Sequence, residues 1–165
     1  PDDELAVAMQ EGRLYRNFMG YTTVVAEEMV GIGPSAIGRI GGVFNQNEKR
    51  LFKYYRSLDE GEFTTLCGVE LSEDDEIRSW VIQQLMCNFT LDYAVFLARY
   101  GVEFSDYFSA ELETLSEYVV EEFVALSASG ITVLPMGQVF VRNIAMVFDA
   151  YLQSTQAQVQ FSRTV

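Results

Sequence analysis

From Ser72 to Leu152 the apolar residues keep a helical period, lose it once between residues 122 and 133, and then regain it. Such a chain can bury its apolar stripes only by packing helices around a small strand pair. Ser72 opens the clearest helix. Asp75 three residues later gives a capping-box variant, and Ile77, Trp80, Val81 and Leu85 form one stripe. Thr90 and Ser105 are the expected N-caps of two further helices. Gly101 stops the first of them, and Phe108, Leu112 and Leu115 line the second. Phe123-Val124-Ala125-Leu126, the turn Ser127-Ala128-Ser129-Gly130 and Ile131-Thr132-Val133 together predict a β-hairpin. Pro135 suits the first turn of a final long helix carrying Phe140, Ile144, Val147, Phe148 and Tyr151. The expected fold is mainly α with a small β-hairpin, in a winged-helix-like arrangement.

The amino-terminal part is more broken. Residues 2–12 predict a short helix with acids in its first turn and Gly12 as its stop signal. Aromatics, Thr and Gly in Arg16 to Thr23 ask for a strand or loop, and Val24 to Gly33 predicts a strand. Glycines at 31, 33, 38, 41 and 42 make 31–42 a loop of close backbone approaches. It is no nucleotide fingerprint, because Gly31-Ile32-Gly33-Pro34 lacks the third glycine and Pro34 removes an N–H. Leu51, Tyr54, Tyr55 and Leu58 place a helix over 46–58. The polar tail after Leu152 is expected to be loosely held, with Phe161 as a possible anchor.

Composition narrows the function classes. With 165 residues and 49% hydrophobic content, the chain suits one domain with a real core. The net charge of −13 repels phosphate backbones and polyanionic membranes. The segment where a DNA-reading helix would fall, Ser105 to Tyr118, carries Asp106, Glu111, Glu113 and Glu117 and no Lys or Arg, so a nucleic-acid module is disfavoured. No apolar run approaches the roughly 18 residues of a membrane span. Cys67 and Cys87 without a secretory signal point to a reducing, cytoplasmic setting. With no His, these two distant cysteines make no metal-ligand motif.

Four segments in order carry a family resemblance. They are Arg16-Asn17-Phe18-Met19-Gly20-Tyr21-Thr22-Thr23, then Gly31 to Ile37, then Leu85-Met86-Cys87-Asn88-Phe89-Thr90-Leu91-Asp92-Tyr93, and last Val141 to Leu152. Together they resemble the carboxyl-terminal part of the oxygen-independent coproporphyrinogen III oxidases, over essentially the whole chain. The opening on Pro1 predicts, likewise, a chain cut from something longer. The resemblance implies a radical S-adenosylmethionine (SAM) enzyme that uses a [4Fe–4S] cluster to convert two propionates of coproporphyrinogen III to vinyl groups in haem biosynthesis. The cluster needs three closely spaced cysteines, so its ligands would lie outside this chain, and the chain alone should be inactive. Residues 1–45 would end the catalytic, partly barrel-like domain, 46–152 would form a helical lid, and 153–165 a tail. The partners implied are the porphyrinogen substrate and the missing N-terminal catalytic domain.

The resemblance also assigns residues. Ile37 matches a position that contacts a second SAM. Another family contact, a glutamine, falls at Met19, and a thioether cannot replace its donor. Arg16 and Arg142 sit inside the matching segments, and a substrate with four carboxylates suits guanidinium partners. Tyr21 and Asn143 are polar members of the same segments. A related haem chaperone that shares this domain is the alternative, but it would lack the full Arg-Asn-Phe-x-Gly-Tyr-Thr-Thr string.

Overall fold

The structure, a computed structural model, describes residues 2–154. By packing, the chain divides into two compact units: Tyr15–Glu76, and Pro1–Leu14 together with Ile77–Val165. We call them the sheet unit and the helical unit. The expected tail anchor Phe161 lies outside the described residues.

The helical unit begins with α1 (Glu4–Gln10), whose N-terminus is capped by Asp3: its carboxylate accepts from the Ala6 N–H at 2.9 Å. The helix α3 (Glu73–Asn88) follows the sheet unit, and the division falls within it, after Glu76. Its capping box forms as expected. Ser72 Oγ accepts from the Asp75 N–H, and the Asp75 carboxylate accepts from the Ser72 N–H at 2.9 Å. Ala8, Leu14 and Cys87 then bury a small cluster between α1 and α3.

Beyond α3 come β6 (Thr90–Asp92), α4 (Tyr93–Tyr100), α5 (Phe104–Tyr107), α6 (Ser109–Val120), β7 (Val124–Ser127) and β8 (Gly130–Val133). The three strands make one antiparallel sheet in the order β6-β8-β7. The hairpin turn is held by Ser127 Oγ, which accepts from the N–H groups of Ser129 and Gly130. Thr90 is not a cap. It belongs to β6, and Asp92 caps α4 by accepting from Ala94 and Val95. The helix expected from Ser105 is two pieces broken at Phe108, whose ring is fully buried. The helix expected from Pro135 is three: α7 (Pro135–Val139), α8 (Val141–Met146) and α9 (Ala150–Ser154). The first break falls at Phe140, whose ring stacks on Phe123 at 5.1 Å. At the second, Asp149 caps α9 through the Tyr151 and Leu152 N–H groups. The core joins Val81, Leu85, Phe96, Phe104, Phe108, Leu115, Val124, Ile131, Ile144 and Phe148, which lie on α3, α4, α5, α6, α8, β7 and β8 or in the joints beside them.

The sheet unit departs most from expectation. Tyr15–Asn17 and Gly20–Thr22 form the hairpin β1–β2. Ile37–Ile40, Val43–Asn47 and Thr65–Glu70 form a second sheet, β3-β4-β5, all antiparallel. The stretch read as a loop therefore contains β3. The turn joining β3 to β4 is Gly41-Gly42, both at positive φ, which is the two-residue turn that matches strand twist. The stretch read as a strand, Val24 to Gly33, pairs with the sheet by a single β-bridge among the described residues, Met29 to Arg39. The helix α2 (Leu51–Asp59) starts later than expected because β4 runs on through Asn47. The chain is thus a mix of helix and three small sheets rather than helix with a single hairpin.

Candidate functional site

Two of the matching segments lie in the sheet unit and meet on one face of its larger sheet. Across β3 and β4, Ile37 pairs with Gln46 and Arg39 with Phe44; across β4 and β5, Gln46 pairs with Cys67 and Phe44 with Val69. Directly paired residues point to the same side, so Ile37, Arg39, Phe44, Gln46, Cys67 and Val69 share one face. The β1–β2 hairpin joins that face through Phe18, whose ring meets Phe44 edge-on at 5.2 Å. Arg39 extends the cluster. Its guanidinium stands 5.7 Å from the Phe44 ring centroid and grips both oxygens of Glu76 at 2.5 and 2.6 Å.

The hairpin turn presents Met19. Asn17 Oδ1 accepts from the N–H groups of Met19 and Gly20 at 2.8 and 3.2 Å, which leaves the Met19 side chain 91% exposed at the tip. Arg16 and Tyr21 are cross-strand partners, with the guanidinium 5.9 Å from the ring centroid.

The loop from Gly31 to Ile37 is fixed by its own unit. The buried Asn47 side chain donates to the carbonyls of Gly31 and Gly33, both at 3.0 Å. The Gly33 N–H donates to the Tyr54 hydroxyl at 3.2 Å, and the Ser35 N–H to the Glu48 carbonyl at 3.0 Å. A Cβ on Gly38 would lie 2.9 Å from the Met29 carbonyl oxygen, and one on Gly31 2.8 Å from the Ile37 carbonyl. These two glycines make room for the chain's own backbone. Ile37, half-buried, remains as the loop's apolar contribution to the shared face.

The opposite face of the sheet has a separate groove of about 420 Å³, bordered by Val30, Ile32, Ile40, Asn45, Tyr54 and Phe63. A second groove of about 740 Å³ runs along α2, bordered by Leu51, Phe52, Tyr55, Arg56, Asp59 and Glu60. Arg142 belongs to the other unit, exposed in the first turn of α8, with Asn143 beside it. Cys67 is exposed and Cys87 buried. Among the described residues no group of His, Cys, Asp or Glu could hold a metal ion, and no helix is long and apolar enough to cross a membrane. The donor set here does not fit an iron–sulfur cluster.

No protein-family model matches the chain. Curated relatives do. Oxygen-independent coproporphyrinogen III oxidases from Salmonella typhimurium and Escherichia coli are 44% identical over 165 residues, all of this chain and 36% of theirs. The one from Pseudomonas aeruginosa is 40% identical over the same span. The solved structure of coproporphyrinogen III oxidase from Escherichia coli, described as a radical SAM enzyme, superposes with a TM-score of 0.88. That match covers 92% of this chain and 35% of the other, at 44% identity. Along its whole length the chain matches a portion of the oxygen-independent coproporphyrinogen III oxidases. It spans about a third of the length of the relatives it matches.

Within the sheet unit, the shared sheet face brings Ile37 onto one surface with the aromatic ring of Phe18, next to Met19. Arg16 is in the same unit and Arg142 in the other. The sequence reading passed over Arg39, whose position opposite Phe44 needed the strand pairing to be seen. It also passed over the cations Lys49, Arg50, Lys53 and Arg56, which are plain in the sequence as four of its 11 basic residues.

Proposed function

We propose that this chain is the carboxyl-terminal, substrate-enclosing part of an oxygen-independent coproporphyrinogen III oxidase. The full protein would decarboxylate two propionates of coproporphyrinogen III in haem biosynthesis. The observation that carries this reading is the match over all 165 residues, at 44% identity, to enzymes of that name. In this reading the cluster and its ligands lie in the remaining two-thirds of the parent. The bound SAM supplies the radical chemistry.

This chain's residues do the surrounding work. Ile37 offers apolar contact to a second SAM, and the Phe18–Phe44–Arg39 cluster stiffens the face on which Ile37 sits. Met19 in place of a glutamine removes one polar cofactor contact. Arg16 and Arg142 offer cations to the propionates. A barrel-completing role for residues 1–45 and a lid role for 46–152 follow from the same resemblance. The order α3-β6-α4-α5/α6-β7-β8, with β6 beside β8, supports describing the lid as winged-helix-like. The need for a lid is physical, because a primary alkyl radical abstracts hydrogen from almost any donor and must be kept from water.

The chain's partner in this reading is the rest of its own parent. The sheet unit leaves Val24, Val30, Ile32, Phe52, Phe63 and Val69 outward. A folded protein does not ordinarily leave so much apolar surface in one small unit uncovered. The deciding experiment is anaerobic turnover by the full-length parent with coproporphyrinogen III and SAM. Release of two carbon dioxide molecules per porphyrinogen is expected; no SAM-dependent release would overturn the reading.

A further inference from the structure

Arg39 is fixed at both ends. Its backbone pairs with Phe44 on β4 and, on the other side, with Met29, where each N–H donates to the other residue's carbonyl at 2.7 Å. Its side chain is held by Glu76, whose two oxygens both accept from Nη2. Between these anchors the guanidinium stands 5.7 Å from the Phe44 ring centroid, and the Phe44 ring meets Phe18 edge-on at 5.2 Å. Phe18 lies in the turn of the β1–β2 hairpin, where Asn17 Oδ1 accepts from the Met19 and Gly20 N–H groups and makes the tip one piece. We propose that Arg39 is a positioning residue: through Phe44 it seats Phe18, and so fixes where the β1–β2 hairpin rests against the face that carries Ile37. The inference rests on reading that face as a cofactor face of the parent, and it names the side chain that sets its geometry.

The ion pair is poorly suited to a purely stabilising job. The Arg39 and Glu76 side chains are 24% and 41% exposed, and pairs open to water contribute little to folding. What the pair supplies is direction. A carboxylate on Nη2 fixes the plane of the guanidinium, and a flat cation beside a ring fixes that ring's tilt. Glu76 is itself well placed for this, in the first turn of α3, where a carboxylate is favoured. On the other side of Phe44 stands Val69, its partner on β5, so the ring is flanked across the sheet by Arg39 and Val69. Phe18, by contrast, is 54% exposed and Met19 more so. With so little of the tip buried, its rest position depends on the Phe44 ring. A binding face is held to geometry by neighbours whose own rotamers are locked, and Arg39 is locked from backbone to guanidinium.

The test compares variants of the full-length parent by two readouts. Amide exchange of residues 15–22 without SAM reports the hairpin, and anaerobic turnover gives KM for SAM and kcat. Arg39→Gln is expected to speed hairpin exchange about threefold to fivefold and to raise KM by a similar factor, with kcat within about twofold, on the scale of one cation–ring contact. Phe44→Leu should do the same, and the double variant should be no worse than either single one, because both cut one path. The swapped pair R39E/E76R keeps an ion pair but takes the guanidinium from its place beside Phe44. It should recover Tm without recovering exchange or KM. Unchanged hairpin exchange or unchanged KM in Arg39→Gln overturns the proposal. So do additive effects of Arg39→Gln and Phe44→Leu, or full rescue by the swapped pair. If the parent shows no SAM-dependent turnover yet hairpin exchange responds as stated, the functional reading falls and the positioning role stands. If turnover is normal while exchange and KM are unmoved in Arg39→Gln, the positioning role alone falls.

Discussion

The two units of this chain are held together by different forces. In the helical unit the aromatic rings of Phe96, Phe104, Phe108 and Phe148 are fully enclosed and touch one another, with centroids 5.0 Å apart for Phe96–Phe104 and 5.3 Å for Phe108–Phe148. In the sheet unit Tyr54 is the one comparably buried hydrophobic side chain among the described residues. Its order comes instead from strand ladders, from Asn47 spanning two carbonyls, and from backbone packed on backbone at Gly31 and Gly38. Hydrogen bonds contribute only about 0.5–1.5 kcal/mol each net, whereas a buried Phe side chain contributes about 1.5–3 kcal/mol. The helical unit therefore carries its own stability, and the sheet unit depends on what covers its outward Val, Ile and Phe side chains. Ile37, proposed to contact the cofactor, and Met19, proposed to lack a polar contact there, sit in the dependent unit.

Cutting one ion pair in each unit should expose this difference most strongly. Arg78 in the helical unit donates to Glu111 at 2.8 Å and to the Phe148 carbonyl at 3.1 Å, and the two ionic side chains are only 17% and 9% exposed. Removing Glu111 takes one nearly buried carboxylate from the Arg78 guanidinium, so Glu111→Ala should cost about 1.5–3 kcal/mol. Glu76→Ala removes the partly exposed partner of Arg39 and should cost about 1 kcal/mol or less. Chemical denaturation measures both, and equal losses would break the comparison.

A glycine substitution sharpens it. Gly38→Ala places a Cβ 2.7 Å from Asn45 Oδ1 as well as against the Met29 carbonyl, and should cost about 1–3 kcal/mol. The loss should show as faster amide exchange in residues 29–47 with little change in the helical unit.

The smallest effect is one of pH. Burial raises the Tyr93 hydroxyl above its ordinary value, where its ring stacks on Phe104 at 4.7 Å. Below the unfolded value of about 10 this contribution is complete, and it is lost as pH rises through the higher folded value. Alkaline melts should therefore show a drop in the helical unit's stability above about pH 10 that Tyr93→Phe reduces.

How much of this was legible in the residues follows the same division. Stripes such as Ile77, Trp80, Val81 and Leu85 announced the helical unit because its elements bury one face each, and burial writes a period into sequence. Its boundaries were missed where a side chain outcompeted the pattern: Asp92 capped where Thr90 was expected, and Phe140 stacked on Phe123 and broke a helix. The sheet unit was hidden because its strands bury neither face, so β5 has no alternation to read. One local signal was there all the same. Gly41-Gly42 between Ile37–Ile40 and Val43–Asn47 is a hairpin turn, and the density of glycines around it masks that signal by suggesting a loop. The face shared by Ile37, Phe44 and Phe18 comes from strand register, which no spacing along the sequence shows.

Hydrogen exchange followed by mass spectrometry, on this chain alone and within the full-length parent, tests the central claim most directly. Residues 15–76 should exchange much faster in the isolated chain than in the parent, while residues 77–152 keep nearly the same protection in both. Equal protection of 15–76 in the two contexts would show that the sheet unit stands without a cover, and would contradict the account.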